Sequence, residues 1–579
     1  MKFHYFSGSR LAITNDTSRP TRYLSMTKKT FTFIILSLLT CKLIAQQNDR
    51  PIKPTHQDTL KGSITPERAW WDVLRYDLTI KPDYINQTIC GSNIIQYKIV
   101  KNKHTGLMQV DLQSPLKIDS IKMGNAKLSF IQNGDAWFVK PLQRSKNNIQ
   151  NITIYYSGKP KQSVNPPWDG GLVWQKDSVG RPWMAVACQL PGASAWFPCK
   201  VYIGDKPDKG ASVTIITPDT LVAVSNGRLQ RQLKNTDGTS SYTWAVNNPI
   251  NNYGLTFYIG KYEHISDKFK GERGNLDLDF WVLDYNQEKV KGYMVAEVRK
   301  TLTSFEHWFG PYPFYSDGFK MVEAPYIGME HQSAIGYGNK FRLGRFGLNP
   351  KRLTYWDQKT DRMIVHETAH EWFGNNITAY DPAYGWLQEG FAGYAEELVI
   401  ADLYGPKASH DFFLSRTNNR IGNKAPVISP DNIFKDGGED AYLKGWVLIH
   451  MLQAIINNDD KFREVLRGLN RSFHHQSVNS AQIENYISKV SKKDLSKIFD
   501  QYLRTTQIPV LEYKIDEKSF EYRFTNCIDG FTMPVKIKLI DQRWITPTTN
   551  WQSLKLEYPP AVDSLAIDPD FYIKAKIVK

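Results

Sequence analysis

Residues 363–376 read MIVHETAHEWFGNN, and inside them His366, Glu367 and His370 spell the pattern H-E-x-x-H. Two histidines four apart lie one turn from each other on a single helix face, so their neutral imidazole nitrogens can share one tetrahedral ion. Glu367, next to the first of them, points to the same side and can deprotonate a zinc-bound water without itself binding metal. Catalytic zinc usually takes three protein ligands and keeps a fourth position for water. The stretch WLQEGFAGYAEE supplies a third in Glu389, with eighteen residues between it and His370. That span holds a helix end, a loop through NNITAYDP and the start of a second helix, so Glu389 can return to face the first. Taken alone, the five-letter pattern also suits a solvated helix face. The surrounding sequence decides between the two.

Working outward, the segment from Gln358 to Phe373 is expected to be a helix ending at Gly374, and YGWLQEGFAGYAEELVIADLYG a second one ending near Gly405. Upstream, EKVKGYMVAEVRKTLTSFEHWFG is helical and stops at Gly310. Further helices are expected from EDAYLKGWVLIHMLQAIINN to KKDLSKIFDQYLRT. Between Ala69 and Tyr262 the pattern is different. Runs such as VLRYDLTI, NIIQYKIV and ASVTIITP are β-branched and aromatic, with Gly, Pro, Asn and Asp between them, which predicts antiparallel strands. From Ile508 onward the strand pattern returns. The expected fold is α+β and multidomain: an N-terminal antiparallel β domain over 66–265, a mostly helical domain over 266–506, and a small C-terminal β domain over 507–579.

Composition sets outer limits. Apolar and charged fractions of 41% and 23% in 579 residues are those of a globular protein of several domains. Five cysteines build no disulfide framework; Cys188 and Cys199 are near enough in sequence to pair in an oxidising compartment, or to remain two buried thiols. The segment MTKKTFTFIILSLLTCKLIAQQ, with two lysines, an apolar run from Phe31 to Leu39 and small Ala45, reads as a secretory signal too short for a convincing membrane span. Met26 is then the expected start, residues 1–25 an upstream extension, and Ala45 the last residue removed. Export to the periplasm or the exterior follows, with no stable membrane span after cleavage. Cys41 offers a lipoprotein alternative, for which Thr40 is a poor neighbour. Residues 1–45 hold seven Lys/Arg and one Asp, hence +6 of the formal +15, leaving +9 scattered without a basic run. Such scatter lacks the run that marks a nucleic-acid patch, so a solvated surface and no nucleic-acid partner are expected.

The text HETAHEWFGNN followed by LQEGFAGYAEE resembles the H-E-x-x-H-x18-E signature of the zinc aminopeptidases of the aminopeptidase N family, among the gluzincin metallopeptidases. The likeness runs through most of the chain, and it implies a thermolysin-like catalytic domain for 266–506. It implies one Zn2+ per chain on His366, His370 and Glu389, with Glu367 as general base, and peptides with a free N-terminus as substrates. A free α-amine is a cation and needs carboxylate or amide oxygens near the zinc. EAPYIGMEHQSAIGYGN resembles the family's G-x-M-E-N motif, which places the amine on Glu330 and backbone contacts to substrate at Gly328 and Met329. Ile327 stands there in place of the first glycine, and His331 in place of the asparagine. VACQLPGASAWFPCK resembles the stretch that carries a second amine-binding residue, here Gln189. EDAYLKGWVLIHML resembles the family's Tyr-x-Lys-Gly helix start and nominates Tyr442 as the hydrogen-bond donor to the oxyanion.

The alternatives are a gluzincin that hydrolyses epoxides, an endopeptidase that ignores the amine, and a catalytically silent protein that uses the groove to bind peptides. Many family members carry a large all-helical C-terminal domain over the active site. The β-like segment here predicts a more open cleft and weaker dependence on peptide length.

Overall fold

The computed structural model describes residues 55–578 apart from 63, 102–105, 143–147, 190, 346–353, 434, 436–437, 540 and 558–564. The expected signal, Met26, Cys41 and Ala45 lie outside the described residues. Among the described residues no helix is long and apolar enough to cross a membrane.

The N-terminal part is built of strands, as alternation in its sequence predicts. In Trp71–Asp83, Val73, Tyr76, Leu78 and Ile80 are buried while Arg75, Asp77 and Thr79 between them are only half-buried, the mark of a strand with one face on a core. This strand lies near the middle of an eight-stranded sheet. It pairs antiparallel with Thr88–Ile99 on one side and parallel with Ala211–Pro218 on the other, in the register Tyr76↔Ala211 to Ile80↔Ile215. That parallel pair departs from the all-antiparallel sheet expected from sequence: the chain covers more than a hundred residues between the two strands, so no hairpin fixes their direction. A four-stranded sheet containing Gly171–Lys176, Pro182–Ala187 and Phe257–Gly260 shares the same core.

A five-stranded sheet follows, ordered Tyr262–Gly271, Gly274–Leu283, Phe319–Glu323, Ile335–Tyr337, Gly328–Met329. The two-residue strand Gly328–Met329 is its edge and pairs antiparallel with Ile335–Tyr337. The helices α1 (Val295–Phe309) and α2 (Arg362–Ala369) pack against it, and α3 (Trp386–Tyr404) packs on both of them and on α4 (Pro406–Thr417) and α5 (Glu439–Ile456). α1 is preceded by a π-turn over Val290–Met294, which the helical pattern of the sequence did not show. α2 is shorter than the helix expected over 358–373. Asp361 caps it by accepting from the Met363 and Ile364 amides, so it cannot start earlier, and after Ala369 the chain turns through Gly374 at φ +135°.

α3 is buried on nearly every side up to Ile400, as a helix at the centre of a core must be. Its partner α5 meets it through two glycines. A Cβ on Gly390 would stand 3.0 Å from the Gly445 backbone, and one on Gly445 3.1 Å from the Gly390 Cα. The helices therefore touch backbone to backbone. The C-terminal strands, among them Val510–Ile515 and Ser519–Thr525, form small sheets whose Leu511, Phe520, Phe531 and Met533 belong to the same core as the helices. Cys188 and Cys199 are both buried, free thiols.

Candidate metal centre and cleft

α2 presents His366 and His370 one turn apart, and the first turn of α3 brings Glu389 against both. Glu389 Oε2 lies 3.5 Å from Nε2 of His366 and 3.5 Å from Nε2 of His370, and it has no hydrogen-bond partner. One buried carboxylate oxygen thus faces two imidazole nitrogens, and the three ligand atoms fall within 4.8 Å of one another. An unpartnered buried oxygen costs about 1–3 kcal/mol in such surroundings unless a cation satisfies it. Two nitrogens and a carboxylate oxygen at this separation are the donor set of catalytic zinc. The residues fit the ion.

The other ring nitrogens are held from behind. His366 Nδ1 bonds Glu396 Oε1 at 3.0 Å, and His370 Nδ1 bonds the Phe373 carbonyl at 3.0 Å. Both bonds fix the tautomer that turns Nε2 toward the shared centre. Glu396 is itself gripped by Arg362, whose Nε lies 2.6 Å from it; burial works against its charge, but Arg362 and His366 hold its pKa down to about 2. Glu389 is also held well below the usual carboxylate range, with burial opposing and the two histidines prevailing. Sequence reading did not single out Glu396. It lies seven residues after Glu389, two helical turns along the same face, and that spacing was the available signal. The Phe373 carbonyl has no side-chain signature.

Glu367 is buried beside the metal ligands, and burial together with the Glu389 charge raises its pKa. Its carboxylate packs directly on the backbone of Gly328: a Cβ there would stand 2.4 Å from Glu367 Oε1. Glu330, Glu367 and His370 form a second close group of donors within 4.8 Å. Glu330 is buried with Oε1 unpartnered, and burial plus the neighbouring Glu389 and Glu367 charges push it up to about 7. Its own carbonyl accepts from the Asn375 side chain at 2.8 Å, which ties the edge strand to the loop after α2.

Gln189 reaches in from the N-terminal β part and donates its amide to Glu389 Oε1 at 3.1 Å. With the nitrogen so engaged, its amide oxygen is the side left to accept from a ligand. Tyr442, in the first turn of α5, stacks near-parallel to the His366 ring at 6.5 Å between centroids. The residue as a whole is 41% exposed, but its hydroxyl end is desolvated and faces the carboxylates of Glu389, Glu330 and Glu367, which together push its pKa well up. The Gly390–Gly445 contact sets this meeting, since Glu389 adjoins the first glycine and Tyr442 lies three residues before the second.

His331 turns away from the site. It is fully buried, bonds the Tyr258 hydroxyl at 2.8 Å and does not line the cleft. The other sequence-nominated residues converge on one cavity of about 520 Å3, which Trp168, Ile327 and Arg345 also line.

The chain matches the model "Peptidase family M1 domain" over residues 293–502 and "Peptidase M1 N-terminal domain" over 73–253. It is 24% identical over 397 residues to Leucine aminopeptidase 2 of Vanderwaltozyma polyspora, covering 66% of this chain and 55% of that protein. Aminopeptidase B of Homo sapiens is 23% identical over 369 residues, covering 58% and 52%. The chain thus spans about half the length of the curated relatives it matches. Its fold is that of a mutant M1 zinc metallopeptidase from Deinococcus radiodurans crystallised with a Tyr-Ser-Ala substrate, at TM-score 0.62 and 19% identity, covering 76% of this chain and 96% of that one.

Proposed function

The chain belongs to peptidase family M1, and on that premise we propose that it is a zinc-dependent aminopeptidase hydrolysing the N-terminal peptide bond of peptides. The observation that carries the reading is Glu389 Oε2, unpartnered and 3.5 Å from two imidazole nitrogens, with the unpartnered Glu330 oxygen in the same cleft. The first supports a metal centre; the second supports an anchor for a cationic amine.

In this reading His366, His370 and Glu389 hold one zinc ion, which when bound acidifies water and polarises a carbonyl. Glu330 and the Gln189 amide oxygen grip the substrate's α-ammonium and so count one residue from its end. Gly328 and Met329, on the sheet edge, support the substrate backbone. Glu367 takes the proton of the attacking water and returns it to the leaving amine. Tyr442 donates its hydroxyl hydrogen to the oxyanion as the carbonyl becomes tetrahedral. Its high pKa keeps that proton in place at neutral pH. The leader-like residues 26–45 support export to the periplasm or the exterior, where the substrates would be free peptides.

The test compares a fluorogenic aminoacyl substrate with its N-acetylated twin, before and after chelation and zinc return. Cleavage of the free amine alone, lost with chelator and restored by zinc, is the expected result. Equal cleavage of both makes the protein an endopeptidase. No cleavage across a panel of side chains makes it a peptide-binding protein.

A further inference from the structure

A second set of donors lies away from the cleft, where the C-terminal strands meet the helices. His410 on α4 places Nδ1 2.9 Å from Asp570 Oδ1, and His450 on α5 places Nε2 3.1 Å from the same oxygen. Asp570 belongs to the turn between Ala566–Ile567 and Lys574–Ile577. The three ligand atoms lie within 4.8 Å of one another.

The arrangement repeats that of the first centre. There, one carboxylate oxygen faces two imidazole nitrogens, and a second carboxylate on α3, Glu396, holds the far nitrogen of one ring. Here Asp570 Oδ1 faces two imidazole nitrogens, and the next residue of α3, Glu397, lies 2.8 Å from Nδ1 of His450. Glu397 is fixed in turn by the Trp446 indole at 2.7 Å, and the His450 ring stacks on Phe413 with centroids 3.7 Å apart. Glu397 therefore keeps an N–H on Nδ1 of His450 and aims Nε2 at Asp570. Two imidazole nitrogens facing one carboxylate oxygen need positive charge between them. A proton fills one such gap, whereas a single divalent ion fills the gaps to both histidines at once. A cavity of about 260 Å3 beside His450 and Asp570, lined also by Gln453, Asn457 and Asp459, has room for the water that would complete a tetrahedron.

We propose that His410, His450 and Asp570 form a second zinc site, which clips the C-terminal strands to α4 and α5. Two imidazoles and one carboxylate favour zinc over the oxygen-seeking ions calcium and magnesium. The site is structural in effect, because its ligands come from separate elements and none touches the cleft.

The experiment measures zinc per chain by mass spectrometry in the full-length protein, dialysed against low-micromolar free zinc. The wild type should hold two equivalents. His410→Ala and Asp570→Asn should each hold one, with kcat/KM on an aminoacyl substrate within about twofold of wild type. A double His366→Ala, His370→Ala variant should also hold one, kept at the second site. One equivalent in the wild type, or two retained in both His410→Ala and Asp570→Asn, overturns the proposal and leaves the cluster an ion pair without metal. Should either single variant fold poorly by circular dichroism, the wild-type count and the double variant decide alone.

Discussion

Replacing Glu396 by glutamine should weaken zinc binding without abolishing it, and the size of the effect can be worked from its contacts. Glu396 bonds His366 Nδ1 at 3.0 Å and Arg362 at 2.6 Å, all three nearly out of solvent. Glutamine keeps a carbonyl oxygen for the imidazole N–H, so the ring stays oriented. It loses the charge, which makes such a bond roughly twice as strong as a neutral one and raises the basicity of the ligand. Loss of partners of this kind costs about 10–100-fold in metal affinity, or about 1.4–2.7 kcal/mol. Arg362 is left with Asp357 at 3.7 Å as its remaining carboxylate. The stability penalty should then fall toward the lower end of the about 3–5 kcal/mol typical of a broken buried pair. The assay titrates wild type and Glu396→Gln with zinc buffers, reading activity and bound zinc together. The midpoint should move by 10–100-fold while turnover at saturating zinc stays within severalfold. A midpoint within twofold of wild type would refute the claim that Glu396 tunes the centre.

Tyr442→Phe should lower kcat by roughly a hundredfold or more with zinc content unchanged, since one oxyanion donor is worth about 2.7–4 kcal/mol; near-normal turnover removes Tyr442 from the mechanism. Glu367→Gln should cost about 10²–10⁴ in kcat and likewise keep its zinc, as metal analysis of the purified variant would show. Glu330→Gln should raise KM for free-amine substrates and narrow the preference over N-acetylated ones; an unchanged preference places the amine elsewhere. Gly445→Val should force α3 and α5 apart and cost about 1–3 kcal/mol, read as a lowered melting temperature with a parallel loss of activity.

The parts legible in the sequence are those that local spacing encodes. His366 and His370 share a face because a helix repeats every 3.6 residues, and Glu389 returns to them because a helix end and a restart fit between. The strands near Trp71 and Ala211 are legible as strands from their alternation, but their parallel pairing is not, because direction depends on the path of the chain between them. The Gln189 contact joins residues 200 apart, and no periodicity reports such a distance. Likeness to a family nominated that residue; only folding put it against Glu389. His331 shows the converse. A histidine beside the nominated amine anchor Glu330 invites a functional reading, yet its Nδ1 bonds Tyr258 in the core. The π-turn before α1 leaves the apolar pattern of that segment nearly intact, which is why its letters read as plain helix.

α2 is fastened at both ends by different parts of the molecule. At its start, Asp361 accepts from the hydroxyls of Tyr293 and Tyr337 and from Asn339, all of the helical part. Past its end, Lys206 Nζ donates to the Asn375 and Asn376 carbonyls at 2.7 and 3.1 Å, and Asn251 donates to the Gly374 carbonyl at 2.9 Å, both from the N-terminal β part. A fragment beginning at the five-stranded sheet would keep every metal ligand in its sequence and lose the clamp on one end of the helix that bears two of them. A piece of this chain meant to carry the chemistry, whether for transplanting it or for tracing its ancestry, therefore needs the strand-built part along with the helices and the C-terminal strands that share their core.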